Sequence, residues 1–376
     1  MNARAMAAAT QEVRRVGLVG PLPPPSGGMA NQTLQLAALL RSEGLEVDMV
    51  QINAPYRPSW AGKLKGVRAL FRMLPYLGDL WRTAGQVQVF HVMANSGWSW
   101  HLFAAPAIVV GRLRGTPVVI NYRGGEADAF LSRAHRMVRA TLSHADALIV
   151  PSGFLEAVFG KYRFDAQIVP NIINLDRFSH APAAPAPGPR LLVARNLEPI
   201  YDNATALRAF DIVRKTHPHA TLVIAGSGPL RSELEALAAT LGLQDAVTFT
   251  GRVDNQTMAA LYRNADVMLN CSLVDNMPNS VLESLACGVP VISTNVGGVP
   301  YLVEDGRTAL LVPPAAPEAM AQAVLRLVAE PSLAASLREA GLRHVQQYTW
   351  ANVRPRLMDV YRSVLAPRTA NSMSQP

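Results

Sequence analysis

The sequence predicts an α/β protein of two doubly wound domains, and three observations carry that prediction. Short apolar runs recur along the chain, each followed by a loop rich in glycine or proline and then a helical pattern. The first of these units, residues 16–52, reads strand, loop, helix, strand, with Gly27 and Gly28 where the helix should begin. At 376 residues the chain is long for one domain, and residues 180–190 hold four prolines and four alanines, the composition of a semi-stiff linker.

Composition narrows the classes. About half of the residues are hydrophobic (49%) and 16% are charged, as in a globular protein with ample core material. The net charge of +8 is uneven. Residues 1–180 carry 19 Lys and Arg against 11 Asp and Glu, whereas residues 181–376 carry 16 of each. A basic half beside a neutral half points to an anionic substrate or surface on one domain only. Two cysteines, Cys271 and Cys287, form neither a disulfide framework nor a metal set, which suits a reducing compartment. No run of about 18 apolar residues suggests a membrane span. Residues 1–12 lack a continuous apolar stretch and read as a ragged terminus, not a signal peptide.

In the first half, a strand at 16–20 leads through the Gly27-Gly28 loop to a helix from about 32 to 42, ended by Gly44, and a strand at 47–52. Glycine lets a backbone approach a phosphate closely, and a helix N-terminus favours an anion. The loop is not Gly-x-Gly-x-x-Gly, so a dinucleotide site is poorly supported. Residues 58–83 alternate Lys63, Lys65, Arg68, Arg72 and Arg82 with Leu64, Val67, Leu70, Phe71, Leu74, Leu77 and Trp81 at helical spacing, with Pro75 expected to break or kink the run. Such a basic amphipathic helix either lies on anionic lipid or packs on its own domain. Strands follow at 87–92 and 118–121. Residues at the carboxyl ends of parallel strands face a ligand crevice, which makes His91, His101 and Arg123 candidates. The two histidines read as structural or binding residues, not bases, while Arg123 would suit a phosphate group. A strand at 147–151 and a helix from 152 close this half.

The second half repeats the pattern. A strand at 191–194 ends at Arg195. A strand at 221–225 runs into Gly226-Ser227-Gly228-Pro229. A strand at 247–249 precedes Gly251, Arg252 and Val253, and a helix spans 258–263. A strand at 267–269 then leads into a polar loop holding Asp275, Asn276 and Met277. Pro278 stands where a helix can begin, Asn279 follows it, and Gly288 stands where that helix can stop. Strand, loop and helix N-terminus make an anion site at the carboxyl edge of a sheet. Val281, Leu282, Leu285 and Ala286 mark the buried stripe of this helix, which leaves Glu283 off it, so a solvated Glu283 and a turn-forming Asp275 are the plain readings. The next strand covers 291–294, and helices are expected at 317–329, 332–347 and 348–365, with residues 367–376 disordered.

Residues 275–291 resemble the signature of family 4 glycosyltransferases: a Glu, seven residues, a second Glu, then Ala-x-Ala-x-Gly-x-Pro-Val. Here the two carboxylates are Asp275 and Glu283, followed by Ser284, Leu285, Ala286, Cys287, Gly288, Val289, Pro290 and Val291. The resemblance extends over most of residues 14–365. It implies the GT-B fold, two Rossmann-like domains facing across a cleft. The expected domains are 1–180 for the acceptor, 181–347 for a nucleotide sugar, and a helix at 348–366 crossing back. It implies a retaining transfer with no metal and no cofactor beyond a nucleotide-diphosphate sugar, expected to be UDP-linked.

By that resemblance Glu283 binds the donor ribose, Asp275 the donor sugar and Arg195 the diphosphate. Gly27 and Gly28 lie beneath the phosphates, and the loop from Asn276 to Asn279 meets sugar and phosphate. Gly228 belongs to a family Gly-x-Gly-Pro loop, and Gly251, Arg252 and Val253 offer backbone groups to the base. Residues 168–178 resemble a segment that ends the first domain. Two departures stand out. Arg123 occupies a position where many members have His, and Tyr201 one where Lys is usual. The charge of the first half, and no motif, suggests an anionic acceptor: a glycan or lipid-linked oligosaccharide in cell-surface polysaccharide synthesis, with the protein in the cytoplasm or at the inner face of the cytoplasmic membrane. Alternatives are a nucleotide-sugar-binding protein without transfer, supported by Tyr201, and a sugar-nucleotide epimerase of the same fold. A nucleic-acid binder would use the basic half, but no such motif is present.

Overall fold

The computed structural model describes residues 12–24, 27–56, 60, 68–181 and 186–366. The ragged start, Lys63 and Lys65 of the basic stretch, residues 182–185 of the linker and the tail 367–376 lie outside them. The chain divides into two compact units. The first takes the residues up to Pro151, then Leu155–Pro170 and those from Val353 onward; the second takes Ser152–Phe154 and Asn171–Asn352. The division falls at 170/171, ten residues before the expected 180/181. Residues 171–178 are held by the second unit: Ile173 bridges to Thr349, and the Asn171 amide donates to the Met277 carbonyl at 3.0 Å and to Asn279 Oδ1 at 2.8 Å.

The first unit is a six-stranded parallel sheet. In chain order its elements are β1 (Arg15–Gly20), α1 (Gly28–Ser42), β2 (Glu46–Gln51), α2 (Arg68–Ala84), β3 (Val89–Ala94), α3 (Ala105–Arg114), β4 (Val118–Tyr122), α4 (Ala127–Leu142), β5 (Ala147–Val150), α5 (Gly153–Lys161) and β6 (Gln167–Ile168). The strand order is β2-β1-β3-β4-β5-β6. Every residue of β3 and β4 is buried, as expected of parallel strands covered by helices on both faces.

The second unit holds β7 (Arg190–Ala194), α6 (Asn203–Thr216), β8 (Thr221–Ala225), α7 (Arg231–Thr240), β9 (Val247–Gly251), α8 (Asn255–Arg263), β10 (Val267–Asn270), α9 (Asn279–Ala286), β11 (Val291–Thr294), α10 (Val299–Leu302), β12 (Leu310–Val312), α11 (Pro317–Ala329) and α12 (Pro331–His344). Its sheet, also parallel, has the order β12-β11-β10-β7-β8-β9. Two apolar clusters line the two sheet faces, one under α6, α7 and α11 and the other under α8 and α9. The last helix, α13 (Trp350–Leu365), belongs from Val353 onward to the first unit.

Strand order fixes where ligands can enter. In the second sheet the chain runs outward from β7 through β8 to β9, then returns to the other side of β7 to lay down β10, β11 and β12. The crevice at the carboxyl ends of β7 and β10 is therefore the topological switch point, where open α/β sheets bind ligands. In the first sheet the same reversal lies between β1 and β3.

Several local expectations need correction. α1 starts at Gly28, four residues before the expected 32, because Ala30 and Thr33 already pack onto the sheet. Pro75 does not end its helix: α2 runs through it to Ala84. Its missing N–H costs the Phe71 carbonyl a bond, while the next residue, buried Tyr76, anchors the helix by donating to the Phe103 carbonyl at 2.6 Å. Pro278 is the extended cap before α9, not its first residue, and Gly288 takes the expected left-handed conformation after it, with φ +71°. The helix expected over 332–347 ends at His344 and continues as a 3-10 turn, Val345–Tyr348.

Candidate functional site

The switch point of the second sheet gathers the three residues assigned the central roles. Arg195 follows the last residue of β7. Its Nε donates to Asn270 Oδ1 at 2.9 Å and its Nη2 to Ser272 Oγ at 3.1 Å, both at the carboxyl end of β10. The same Nη2 forms an ion pair with Asp275 Oδ2, and both side chains are only 12% exposed. The backbone N–H of Asn276 donates to Asp275 Oδ1 at 3.0 Å, which fixes the other carboxylate oxygen. Tyr201, in the 3-10 turn Pro199–Tyr201, lies with its ring 4.7 Å from the guanidinium carbon of Arg195. Tyr201 is thus a stacking partner for the arginine. Burial pulls the Arg195 pKa down, and Tyr201, Tyr262 and Glu283 push it back up; an arginine remains charged through such a shift.

Glu283 is not the solvated helix residue that its position off the stripe suggests. It is largely covered, and the buried hydroxyl of Tyr262 on α8 donates to its Oε2 at 3.0 Å. Burial raises its carboxyl to about 7, opposed by the Tyr262 hydrogen bond and by Arg195 and Arg177. In its ionised form this carboxyl can accept hydroxyl donors at both oxygens. Ser280, in the first turn of α9, is buried, and its hydroxyl has no hydrogen-bond partner among the described residues.

Backbone contact explains the glycines around this cluster. A Cβ on Gly226 would land on the Arg195 carbonyl, and one on Gly228 on the Leu197 carbonyl. The two loops clasp each other: Leu197 N–H donates to the Ser227 carbonyl at 3.1 Å, and Leu230 N–H to the Leu197 carbonyl at 3.1 Å. On the other side a Cβ on Gly297 would strike the Asp275 carbonyl and one on Gly298 the Asn276 carbonyl, and Gly298 N–H donates to the Asp275 carbonyl at 2.9 Å. Two glycine pairs thus brace the loops that carry Arg195 and Asp275.

The other donor-side candidates divide. Asn276, Met277 and Pro278 are buried, and Met277 and Asn279 are engaged by Asn171. Gly251 ends β9 at φ +69°; Arg252 is exposed and Val253 half-buried. Gly27 caps α1 in extended conformation with open space where a Cβ would be, and Gly28 is exposed in the first turn.

In the first unit, Arg123 and His91 belong to one buried chain of hydrogen bonds. Arg123 Nε donates to Asn121 Oδ1 at 3.1 Å. That leaves the Asn121 amide nitrogen to donate to His91 Nε2 at 2.9 Å, and His91 Nδ1–H to face the Tyr361 hydroxyl at 2.8 Å. His91 and Tyr361 are fully buried, and burial lowers the His91 pKa to about 3, with Arg123 adding to the effect. The imidazole is neutral and sealed, so His91 supports Arg123 and is not itself exposed to an acceptor. Burial likewise lowers Arg123 to about 10. His101 stands apart, in the π-helical turn Trp100–Ala104, with its ring against Trp98 and Phe130.

Sequence reasoning missed Asn270, Ser272 and Tyr262. Asn270 ends the strand that feeds the motif and Ser272 follows it, positions that could have marked them. Tyr262 lies 21 residues before its partner and carries no local signal. Among the described residues no group of three His, Cys, Asp or Glu is placed to hold a metal ion, and no helix is long and apolar enough to cross a membrane. Cys271 and Cys287 are both free and buried.

Comparison with known proteins bears on this site. A family profile described as Glycosyltransferase Family 4 matches residues 26–177, and one described as Glycosyl transferases group 1 matches residues 188–330. A D-inositol 3-phosphate glycosyltransferase of Streptomyces avermitilis is 30% identical over 253 residues, covering 62% of this chain and 53% of that protein. The chain spans about half the length of the curated relatives of this name that it matches. Among solved structures, a sucrose-phosphate synthase from Thermosynechococcus elongatus superposes with a TM-score of 0.76 at 23% identity, covering 94% of this chain and 99% of that one. Anabaena HepE in complex with UDP-glucose gives a TM-score of 0.72 at 15% identity, covering 93% and 99%. At these identities the likeness is one of fold, the GT-B class built from two parallel-sheet units.

Proposed function

The chain belongs to glycosyltransferase family 4, and we propose that it is a retaining glycosyltransferase that takes a sugar from a nucleotide-diphosphate donor. The observation that carries the reading is the gathering of Arg195, Asp275 and Glu283 at the switch point of the second sheet. Glu283 receives the ribose hydroxyls, Asp275 the donor sugar and Arg195 the diphosphate. A UDP-linked donor is favoured by the UDP-glucose held by HepE. In the transfer, the bond from the anomeric carbon to the phosphate oxygen breaks and a bond to the acceptor oxygen forms on the same face. The acceptor proton passes to the departing diphosphate. Arg195 stabilises the charge that develops there, and the enzyme otherwise contributes positioning.

Arg123 and the net positive charge of residues 1–180 favour a phosphate-bearing acceptor, glycan or lipid-linked, and the D-inositol 3-phosphate named for relatives is of that chemistry. Exposed Leu74, Leu77 and Trp81 on α2 and Leu113 on α3, with Arg114 stacked on Trp81, would suit peripheral contact with an anionic membrane at the cytoplasmic face. Cell-surface polysaccharide synthesis is the role this fits.

The test is a donor screen: purified protein, a panel of nucleotide sugars, and release of free nucleotide followed with and without a membrane lipid extract. Release that needs the extract and disappears in Glu283→Ala supports the proposal. Saturable binding with no turnover under either condition supports a second reading, a binding protein without transfer, which Tyr201 in the lysine position and the engagement of Arg195 by Asp275 favour. Restored turnover in Tyr201→Lys would then trace the loss to that position.

A further inference from the structure

We propose that Tyr262 is the positioning residue for Glu283: its buried hydroxyl fixes one carboxylate oxygen and so orients the group that receives the ribose of the donor nucleotide. The inference rests on the reading of Glu283 as the ribose ligand. Tyr262 is fully buried in the last turn of α8, its ring held edge-on by Phe178, with centroids 6.0 Å apart. Its hydroxyl donates to Glu283 Oε2 at 3.0 Å and is fixed there by the packing of α8 on α9. That leaves Oε1, and the remaining lone pair of Oε2, for the neighbouring hydroxyls of a ribose.

An ionised carboxylate is an acceptor at both oxygens, whereas a protonated one gives up an acceptor position and the charge that strengthens the bond. The groups around Glu283 set that balance. Tyr262 faces it from α8, Arg195 from the end of β7, and Arg177 from the segment after the division between units; Cys287 caps the end of its own helix. The nearby Arg338 of α12 is turned to the Gly288 carbonyl, and Arg263 of α8 to the Arg177 carbonyl. Burial favours the protonated carboxyl, and the Tyr262 hydrogen bond is the largest opposing influence. The phenol does not compete for the role of base, because burial and Glu283 hold its own pKa well above the ordinary value.

The experiment is calorimetric titration of the whole protein with UDP and with GDP from pH 5.5 to 8.5. It compares wild type, Tyr262→Phe, Glu283→Gln, the double variant, and protein with 3-fluorotyrosine incorporated at position 262. Wild-type affinity should fall as pH drops through the ionisation of Glu283. Tyr262→Phe should weaken binding about 3- to 10-fold at neutral pH and move the midpoint to higher pH. Fluorotyrosine, a more acidic donor of almost the same shape, should move it to lower pH and keeps the test open if Tyr262→Phe does not fold. Glu283→Gln should flatten the profile, and adding Tyr262→Phe to it should change nothing further. A midpoint unmoved by either change at position 262, with Glu283→Gln still weakening binding, overturns the role of Tyr262 and leaves the ribose reading standing. Affinity and profile unchanged in Glu283→Gln, or no binding of either nucleotide, overturns both.

Discussion

The two units solve one problem in opposite ways. Each holds a network of polar side chains on a parallel sheet, at the carboxyl ends of β7 and β10 in the second unit and from within β3, the end of β4 and α13 in the first. In the second unit the cluster is ionic: Arg195, Asp275 and Glu283 are held by neighbouring polar groups and by loops pressed together at glycines. In the first unit the buried chain of Tyr361, His91 and Asn121 is neutral, and the charge appears only at its end, on Arg123. A charged cluster stores its cost in desolvation and is easily unbalanced by losing one partner, whereas a neutral chain is indifferent to salt and sensitive to acid.

The largest effect expected from breaking that contrast is Arg195→Ala. It strands Asp275 in a nearly buried position and should cost about 3–5 kcal/mol by urea unfolding, together with the loss of nucleotide binding. Gly298→Ala comes next, because its methyl group would meet the Asn276 carbonyl; about 1–3 kcal/mol is expected from such overpacking, and UDP affinity should fall with it.

Glu283→Gln sharpens the comparison through pH. The folded carboxyl lies at about 7 against an ordinary 4.5, so between these values the folded state binds more protons than the unfolded one. Stability is therefore lost as pH rises through that window. The variant should be more stable than wild type at pH 8, by roughly 1–3 kcal/mol given about 1.4 per pKa unit, and show no gain at pH 4. Thermal unfolding at the two pH values checks this.

His91 should behave in the opposite sense. Its folded value of about 3 lies below the ordinary 6.5, so the unfolded state binds the extra proton and stability falls as pH drops from 6.5 toward 3. The slope should reach at most about 1.4 kcal/mol per pH unit, and His91→Gln should flatten it in acid unfolding curves. The smallest effect is that of Gly27→Ala. With open space around the position, its stability should stay within about 0.5 kcal/mol of wild type, and any fall in UDP affinity would report on phosphate approach.

Much of this was legible in the residues. The alternation of apolar runs and helical patterns marked the parallel strands, because strands covered on both faces must be continuously apolar. The Asp275–Glu283 spacing marked the candidate site, because a loop and the helix after it are local structure. What misled was also local: Glu283 lies off the apolar stripe of α9, yet a second helix covers it, and of the break or kink expected at Pro75 the break does not occur, because the helix runs through it. The glycines show the limit most clearly. Gly27 and Gly226 look alike in the sequence, but one faces open space and the other a carbonyl oxygen.

The sequence by itself determined the fold class, the two-part organisation and the identity of the charged residues, since those depend on periodicity, punctuation and short spacings. Only the tertiary structure decided which charges meet. Arg195 reaches Asp275 because β7 and β10 are neighbours in the sheet although some 75 residues separate Arg195 from Asn270. Tyr262 reaches Glu283 because two helices pack on one sheet face. Burial, and with it the pKa of Glu283 and of His91, is a property of all the elements around a side chain, and no stretch of sequence carries it.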